Sequence, residues 1–302
     1  MHIALIGLGK MGNPLAQNLL RQGIPVTAYD VQPALQQQAA GQGIAVAESL
    51  AHLVSSTAGK RRAFWLMIPA GPAVDEVLAA LCPLLSPPDL VIDGGNAHYK
   101  DSMRRASLLA EMGLGFLDCG TSGGTSGALH GACTMVGGAI AVYEPLKPVF
   151  EAISVPGGHL YCGPAGSGHF LKMVHNGIEY GMMQAMAEGF ELLEASPFEY
   201  QYEQVARLFN HGSVIRGWLM ELLQQAFAAD AGLQGIKGVM HSSGEGRWAL
   251  ETALELGLPA PVTALSLMMR YRSQQPDTFS GKVVAALRQQ FGGHAVEVAN
   301  PA

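Results

Sequence analysis

Three residues spaced four and seven apart offer proton chemistry on one helix face. Lys172, Asn176 and Glu179 stand at i, i+4 and i+7. At about 100° per residue they share one stripe, with Lys172 and Glu179 roughly 10 Å apart along the axis. His175 and Tyr180 flank that stripe. Lysine and glutamate form a base–acid pair of the kind proton transfer requires. Partial burial disfavours an ammonium ion, which makes such a lysine a usable general base. The bland alternative is a solvated face carrying an i, i+7 charge pair. On a helix otherwise rich in Met, Phe and Leu, two facts weigh against it: the helix follows a dinucleotide-binding half, and the polar set contains an acid–base pair.

Two glycine-rich segments are placed to complete a pocket. Asp93-Gly94-Gly95-Asn96 follows a strand-like run, which sets Asn96 at the carboxyl edge where ligands bind in doubly wound sheets. Cys119-Gly120-Thr121-Ser122-Gly123-Gly124 follows the next one. There the Ser122 hydroxyl and the backbone N–H groups of Gly123 and Gly124 can hold a carboxylate or a hydroxyl. Either segment alone reads equally well as a turn. Their shared position at strand ends favours a site.

A cofactor loop opens the chain. Gly7-Leu8-Gly9-Lys10-Met11-Gly12 is a GxGxxG between the first strand-like run and the first helical pattern. Gly7 permits the tight turn, Gly9 lets backbone N–H groups approach a pyrophosphate, and Gly12 allows close helix–strand packing. The motif alone is weak, but an acidic residue ends the second strand, as the fingerprint requires. That residue is Asp30, 18 positions beyond Gly12. A carboxylate there accepts hydrogen bonds from ribose hydroxyls and repels a 2′-phosphate. The residues that follow, Val31, Gln32 and Pro33, bring no arginine, so NAD is expected in preference to NADP.

These sites need a scaffold, and the pattern predicts one. Up to about residue 165 short apolar runs alternate with amphipathic stretches: His2 to Ile6, Val26 to Tyr29, Ala63 to Ile68, Leu90 to Ile92 and Gly115 to Leu117 read as buried parallel strands. Helical patterns between them run over Pro14 to Gln22, Ala73 to Leu85 and Ser102 to Met112. The alternation predicts an α/β Rossmann-type, doubly wound N-terminal domain over residues 1–165. The glycine-rich stretch Gly163 to Gly168 marks the boundary. Residues 166–302 read as an all-helical C-terminal domain, with helices over Gly168 to Ala195, Tyr200 to Phe209, Val214 to Ala228, Trp248 to Leu256, Val262 to Arg272 and Gly281 to Gln290.

Composition excludes several other classes. With 49% hydrophobic and 14% charged residues the chain is globular rather than disordered. A formal net charge of -6, with no basic cluster larger than Lys60-Arg61-Arg62, argues against nucleic acid as a partner. That triplet reads as a solvated approach to a strand. Cys82, Cys119, Cys133 and Cys162 have neither metal-ligand spacing nor a disulfide framework, and the two nearest the pocket, Cys119 and Cys133, read as packing residues. No metal site is expected. No apolar stretch reaches the about 20 residues that a membrane span needs, and Met1 leads into a strand without a basic n-region. A soluble protein of the reducing cytoplasm is the expectation.

The residues now resemble a known family. Gly168-His169-Phe170-Leu171-Lys172-Met173-Val174-His175-Asn176-Gly177-Ile178-Glu179-Tyr180 is similar to the signature helix of the decarboxylating 6-phosphogluconate dehydrogenases, within the β-hydroxyacid dehydrogenase superfamily. Ile92 to Ser102, with its Asp-Gly-Gly-Asn, and Ser122-Gly123-Gly124 match as well. The resemblance runs from end to end, and the chain length resembles the short, NAD-preferring branch. It implies that Lys172 takes the proton from a C3 hydroxyl as hydride leaves C3 for the nicotinamide. Loss of carbon dioxide would follow, and then protonation of C1 by Glu179, giving ribulose 5-phosphate. It further implies that Asn96, Ser122 to Gly124, His175, Asn176 and Tyr180 bind a phosphorylated sugar acid, and that Ile68, Pro69 and Ala70 line the cofactor beside Asn96.

For the substrate phosphate the resemblance offers Arg270, Arg288 and His294. The last two lie in a tail that in the family reaches a neighbouring subunit's active site, which implies a homo-oligomer, dimer or tetramer. Arginine suits bidentate phosphate binding. One departure stands out: long-form members have Lys-Gly-Thr where this chain has Ser243-Gly244-Glu245, with Arg247 two residues on as a compensating cation. A related dehydrogenase of the 3-hydroxyisobutyrate type would share the glycine loops and the lysine without needing Glu179 or the arginines. A non-catalytic dinucleotide sensor would have lost the base or the acid, and both are present.

Overall fold

Strands buried on both faces read as largely apolar runs, and the first strands of this chain build its sheet that way. The computed structural model describes residues 1–57 and 62–298; Lys60 and Arg61 of the basic triplet lie outside them. Contacts divide the chain into two compact units, Met1–Asn176 and Gly177–Ala302.

In the first unit eight strands, β1 (His2–Ile6), β2 (Val26–Tyr29), β3 (Ala45–Val46), β4 (Arg62–Leu66), β5 (Leu90–Asp93), β6 (Gly115–Ser122), β7 (Ala132–Gly138) and β8 (Ser154–Gly163), form one sheet. Their order is β3-β2-β1-β4-β5-β6-β7-β8. All neighbours run parallel except β6 and β7. The helices are α1 (Gly12–Arg21), α2 (Pro33–Gly41), α3 (Leu50–Ser56), α4 (Pro72–Leu81), α5 (Tyr99–Glu111), α6 (Gly124–His130), α7 (Ile140–Tyr143), α8 (Lys147–Ile153) and α9 (Ser167–Glu194), which continues into the second unit.

Side chains alternate across the sheet with period two. Ile3, Leu5, Trp65 and Ile92 face one core with Leu15 and Leu19 of α1 and Phe150 of α8. Ala4, Ile6, Phe64 and Val91 face the other with Leu53 of α3, Leu78 of α4 and Leu109 of α5. Each such leucine taken from water contributes about 2 kcal/mol. The sheet is therefore doubly wound.

Three strands escaped the sequence reading. β3 is two residues long. β7, Ala-Cys-Thr-Met-Val-Gly-Gly, ends in glycines, and β8 carries Pro156-Gly157-Gly158, which reads as a turn. β7 forms because the edge of β6 offers unpaired backbone groups that must find partners, and β8 forms on the edge that β7 then presents. A second correction concerns Arg62. It is not solvated: its side chain is 12% exposed, ion-paired with Asp89, and donates from Nη1 to the Val54 carbonyl at 3.1 Å.

The described elements of the second unit are all helices: the continuation of α9, then α10 (Tyr202–Asn210), α11 (Trp218–Ala229), α12 (Gly244–Glu255), α13 (Pro261–Ser273) and α14 (Phe279–Gly292). Ala206, Met220 and Phe227 make a small core with Phe190 and Tyr202. The helix expected from Val214 starts at Trp218, after Gly217. Among the described residues no helix is long and apolar enough to cross a membrane.

Candidate active site

The first loop has the geometry a pyrophosphate needs. Gly7 lies at φ 100°, where side chains are rarely tolerated. A β-carbon on Gly12 would overlap the Gly7 carbonyl oxygen, so α1 starts hard against the turn. Met11 caps α1 without a side-chain hydrogen bond, and no acidic residue occupies the first turn. The positive end of the helix is thus left for an anion. Leu8 is buried while Gly9 and Lys10 are exposed. Asp30, 8% exposed, accepts from the Leu8 N–H at 2.7 Å and the Gln32 N–H at 2.8 Å. Its carboxylate both opens the turn and ties the end of β2 to the glycine loop, and each oxygen keeps a lone pair for a ribose hydroxyl.

Contacts then run from this loop to the lysine. Ile68 Cγ2 would lie 2.9 Å from a β-carbon on Gly7, and Gly95 packs on the Ile68 carbonyl, so Ile68, which opens the Ile68-Pro69-Ala70 stretch, bridges one loop to the next. Gly94 and Gly95 are bare because Trp65, Met67 and Ile68 fill the space side chains would take. Asn96 follows in the left-handed region, φ 50°, and its Oδ1 accepts from the Thr121 N–H at 3.1 Å. The next residue but this one, Ser122, meets His175 Nε2 at 3.1 Å.

Lys172, 6% exposed, donates from Nζ to Asn176 Oδ1 at 2.8 Å, with His175 Nδ1 at 3.4 Å. His175 Nδ1 is also 3.0 Å from Asn176 Oδ1. The tautomer with hydrogen on Nδ1 satisfies this set: Asn176 accepts from both neighbours, and the Ser122 hydroxyl donates to Nε2. The first unit therefore brings together Asn96, Ser122, Lys172, His175 and Asn176 as the sequence expects, with Gly123 (φ 111°) and Gly124 (φ 60°) opening α6 beside them.

One expectation changes: Cys119 to Ser122 is not loop but strand. β6 continues to Ser122 because it pairs antiparallel with β7, Cys119 against Val136 and Ser122 against Cys133. The pairing lets α9 dock. A β-carbon on Gly120 would overlap the Lys172 β-carbon, and Gly168 lies against the Met135 carbonyl and the Gly137 nitrogen. Asp118, fully buried, accepts from the Gly166 and His169 N–H groups at 2.6 and 2.8 Å. A carboxylate on a neighbouring strand thus caps the helix that carries Lys172. His169 Nδ1 bonds Ser102 of α5 at 2.8 Å. Sequence reasoning missed Asp118, a lone acid in an ordinary pattern, and gave Ser102, at the end of the stretch from Ile92 to Ser102, no role of its own.

The cysteines divide by burial. Burial pushes the Cys119 thiol up to about 12, and the Cys162 thiol up to about 11. Cys133 is exposed, contrary to its reading as a packing residue. A thiol of pKa 12 is about one part in ten thousand thiolate at pH 8. Iodoacetamide applied to the native protein is therefore expected to label Cys133 and spare Cys119, read by peptide mass. Labelling of Cys119 at the same rate would contradict the buried site.

The second unit holds the remaining candidates. Glu179 is half-buried on α9. Tyr180 is buried; its hydroxyl accepts from the Ser243 N–H at 3.2 Å and lies 3.3 Å from Ser243 Oγ. The Arg270 guanidinium stacks 3.5 Å over the Tyr180 ring and donates to the His241 carbonyl at 3.0 Å. Gly246 has no room for a β-carbon because the same ring fills it. Tyr180, Arg270 and Ser243 thus form one cluster. Arg288 and His294 are exposed and line a different hollow, with Lys282 and Asp277.

The two halves match known proteins along almost their whole length. Residues 2–163 match the family model of the NAD binding domain of 6-phosphogluconate dehydrogenase, and residues 168–287 that of its C-terminal domain. The chain belongs to the 6-phosphogluconate dehydrogenase family. YqeC of Bacillus subtilis (strain 168), provisionally named a 6-phosphogluconate dehydrogenase, is 54% identical over 98% of this chain and 99% of its own length. The NAD(+)-dependent, decarboxylating 6-phosphogluconate dehydrogenase of Haloferax volcanii is 42% identical over 98% of each. Among solved structures, the Plasmodium falciparum 6-phosphogluconate dehydrogenase, studied with NADP+ and with 6-phosphogluconate, superposes with a TM-score of 0.84 at 28% identity. That match covers 99% of this chain and 66% of the Plasmodium chain.

Within this family the Ser243-Gly244-Glu245 departure has a defined place. Ser243 precedes α12, and Glu245 sits in its first turn, where a carboxylate suits the helix dipole. Arg247, offered by the sequence as a compensating cation, is exposed and ion-paired with Glu251 at 3.3 Å.

Proposed function

We infer that this chain oxidises and decarboxylates 6-phosphogluconate to ribulose 5-phosphate and carbon dioxide, using NAD in preference to NADP. One observation carries the reading: Lys172 is buried and bonded to Asn176, beside His175 and Ser122, on the helix that two turns later carries Glu179. Bound NAD supplies the hydride acceptor. The residues fit it, since Gly7, Gly9 and the uncapped start of α1 suit a pyrophosphate and Asp30 a ribose diol. Lys172 takes the proton from the C3 hydroxyl as C3 is oxidised. It then returns a proton to the C3 oxygen while the carboxylate leaves as carbon dioxide; Glu179 protonates C1 of the enediol as Lys172 takes back the proton from that oxygen, leaving the ketone.

Asn96, Ser122, Gly123, Gly124, His175 and Asn176 would hold the acid end and hydroxyls of the sugar. Tyr180 and Arg270 would take the phosphate, joined by Arg288 and His294 from the tail of a neighbouring copy. A homo-oligomer, dimer or tetramer, is part of this reading. Helix α14 supports it: none of its residues is buried, and Phe279 and Phe291 are 81% and 78% exposed.

The test is reduction of NAD and of NADP by the purified protein with 6-phosphogluconate, trapping carbon dioxide. One carbon dioxide per reduced nicotinamide and a higher kcat/KM with NAD are expected. A protein that binds NAD yet reduces neither cofactor would exclude this substrate and point to unphosphorylated 3-hydroxy acids.

A further inference from the structure

One buried guanidinium joins the two ligand loops. Arg105 on α5 is 1% exposed, and it spends its N–H groups on three residues of two segments: the end of β5 and the start of α4. Nη1 donates to Asp93 Oδ2 at 3.1 Å, at the end of β5. Nη2 donates to the Gly71 carbonyl at 3.0 Å, immediately after Ile68-Pro69-Ala70. Nε and Nη2 reach Asp75 of α4 at 2.9 and 3.2 Å.

Two of these contacts, to Asp93 and to Gly71, lead onward to candidate ligand residues. Asp93, fully buried, uses its other oxygen to accept from the Gly95 N–H at 3.2 Å. That bond shapes the turn that puts Asn96 at φ 50°, from where Asn96 Oδ1 takes the Thr121 N–H next to Ser122. Gly71, at φ 101°, is the residue on which the stretch at Ile68 turns into α4. The Arg105 hydrogen bond holds the Asp75 carboxyl below the usual carboxylate range, so the pair stays ionised near neutrality. Buried ion pairs add little net stability and are often replaceable by apolar residues. A pair that also fixes two backbone turns has a further use, and only a planar fork can reach all three acceptors at once.

We infer that Arg105 is a positioning residue that holds the cofactor loop (Ile68–Gly71) and the substrate loop (Asp93–Asn96) in a single register. The substrate half of this statement rests on the function proposed above; the cofactor half rests on the NAD-binding domain alone.

The test uses two variants of the full chain. Arg105→Lys keeps a charge beside Asp93 but cannot span to Gly71 and Asp75 as well. It is expected to raise the NAD Kd, read by fluorescence titration, by about tenfold and the 6-phosphogluconate KM by a similar factor, with kcat of the folded enzyme within about threefold. Asp75→Ala, at a side chain 40% exposed, guards against misfolding of the first. It frees the fork on the cofactor side only, so the NAD Kd is expected to rise about threefold with little change in substrate KM. A purely structural arginine would lower Tm and the active fraction while leaving Kd and KM of the folded protein unchanged. Wild-type NAD Kd and substrate KM in folded Arg105→Lys would overturn the inference, as would wild-type NAD binding by Asp75→Ala if Arg105→Lys does not fold. If the wild-type protein fails to oxidise 6-phosphogluconate, the functional reading falls, and the NAD titrations still decide the cofactor half.

Discussion

Lys172→Met is expected to cut kcat roughly a thousandfold while leaving NAD binding intact, because it removes the only proposed base and little else. Methionine matches the unbranched stem that Gly120 accommodates, and it keeps the helix apolar where the stem passes β6. What disappears is the donor to Asn176 Oδ1, and with it the group set beside His175 and the Ser122 hydroxyl. Asn176 retains its bond to His175, so the fold of α9 should be little disturbed. The measurement is steady-state reduction of NAD with 6-phosphogluconate, paired with a fluorescence titration of NAD. Turnover within about tenfold of wild type would remove Lys172 from the chemistry and assign the base to another group.

Glu179→Gln separates a decarboxylating enzyme from a plain 3-hydroxyacid dehydrogenase. The change is isosteric on a half-buried position of α9, so packing and the NAD Kd should hold. A glutamine cannot give up a proton to the enediol carbon, and kcat is expected to fall roughly a hundredfold with substrate KM within a few-fold. A second readout addresses the step itself. In deuterium oxide the wild-type product should carry deuterium on one face of C1, because a fixed acid delivers it. The variant should give a mixture of both stereoisomers, because solvent then does the protonating. Near-normal rates with one stereoisomer would assign the proton to another group.

Neither prediction needed the structure to choose its residue, and the reason is local. Spacing along one helix fixes which side chains share a face, so Lys172, Asn176 and Glu179 were legible together. The GxGxxG was legible because its glycines answer to backbone limits: Gly7 at φ 100° and Gly12 with no room for a β-carbon. Asp30 could be placed by its distance from Gly12 alone, though the sequence did not say that its oxygens bind the Leu8 and Gln32 N–H groups. The strands buried on both faces were plain as apolar runs.

Only the tertiary structure decided what depends on partners distant in the chain. β7 and β8 have weak patterns, and they are strands because β6 gives β7, and β7 gives β8, backbone groups to bond. Arg62 looked like part of a solvated triplet until Asp89, 27 residues on, closed over it. Asp118 is one acid among many in the sequence; it becomes the cap of α9 because the chain returns to it 48 residues later. Arg105 reads as a helix arginine beside Arg104, yet Asp75 and Arg104 remain at the surface while its own guanidinium turns inward to Asp93. The sequence by itself determined which residues can do proton chemistry and which loop can take a dinucleotide, since both are set by local backbone geometry. Where Lys172 sits, what caps its helix and what partners Arg105 were settled by long-range packing, since a buried charge is tolerable only where folding brings it a partner.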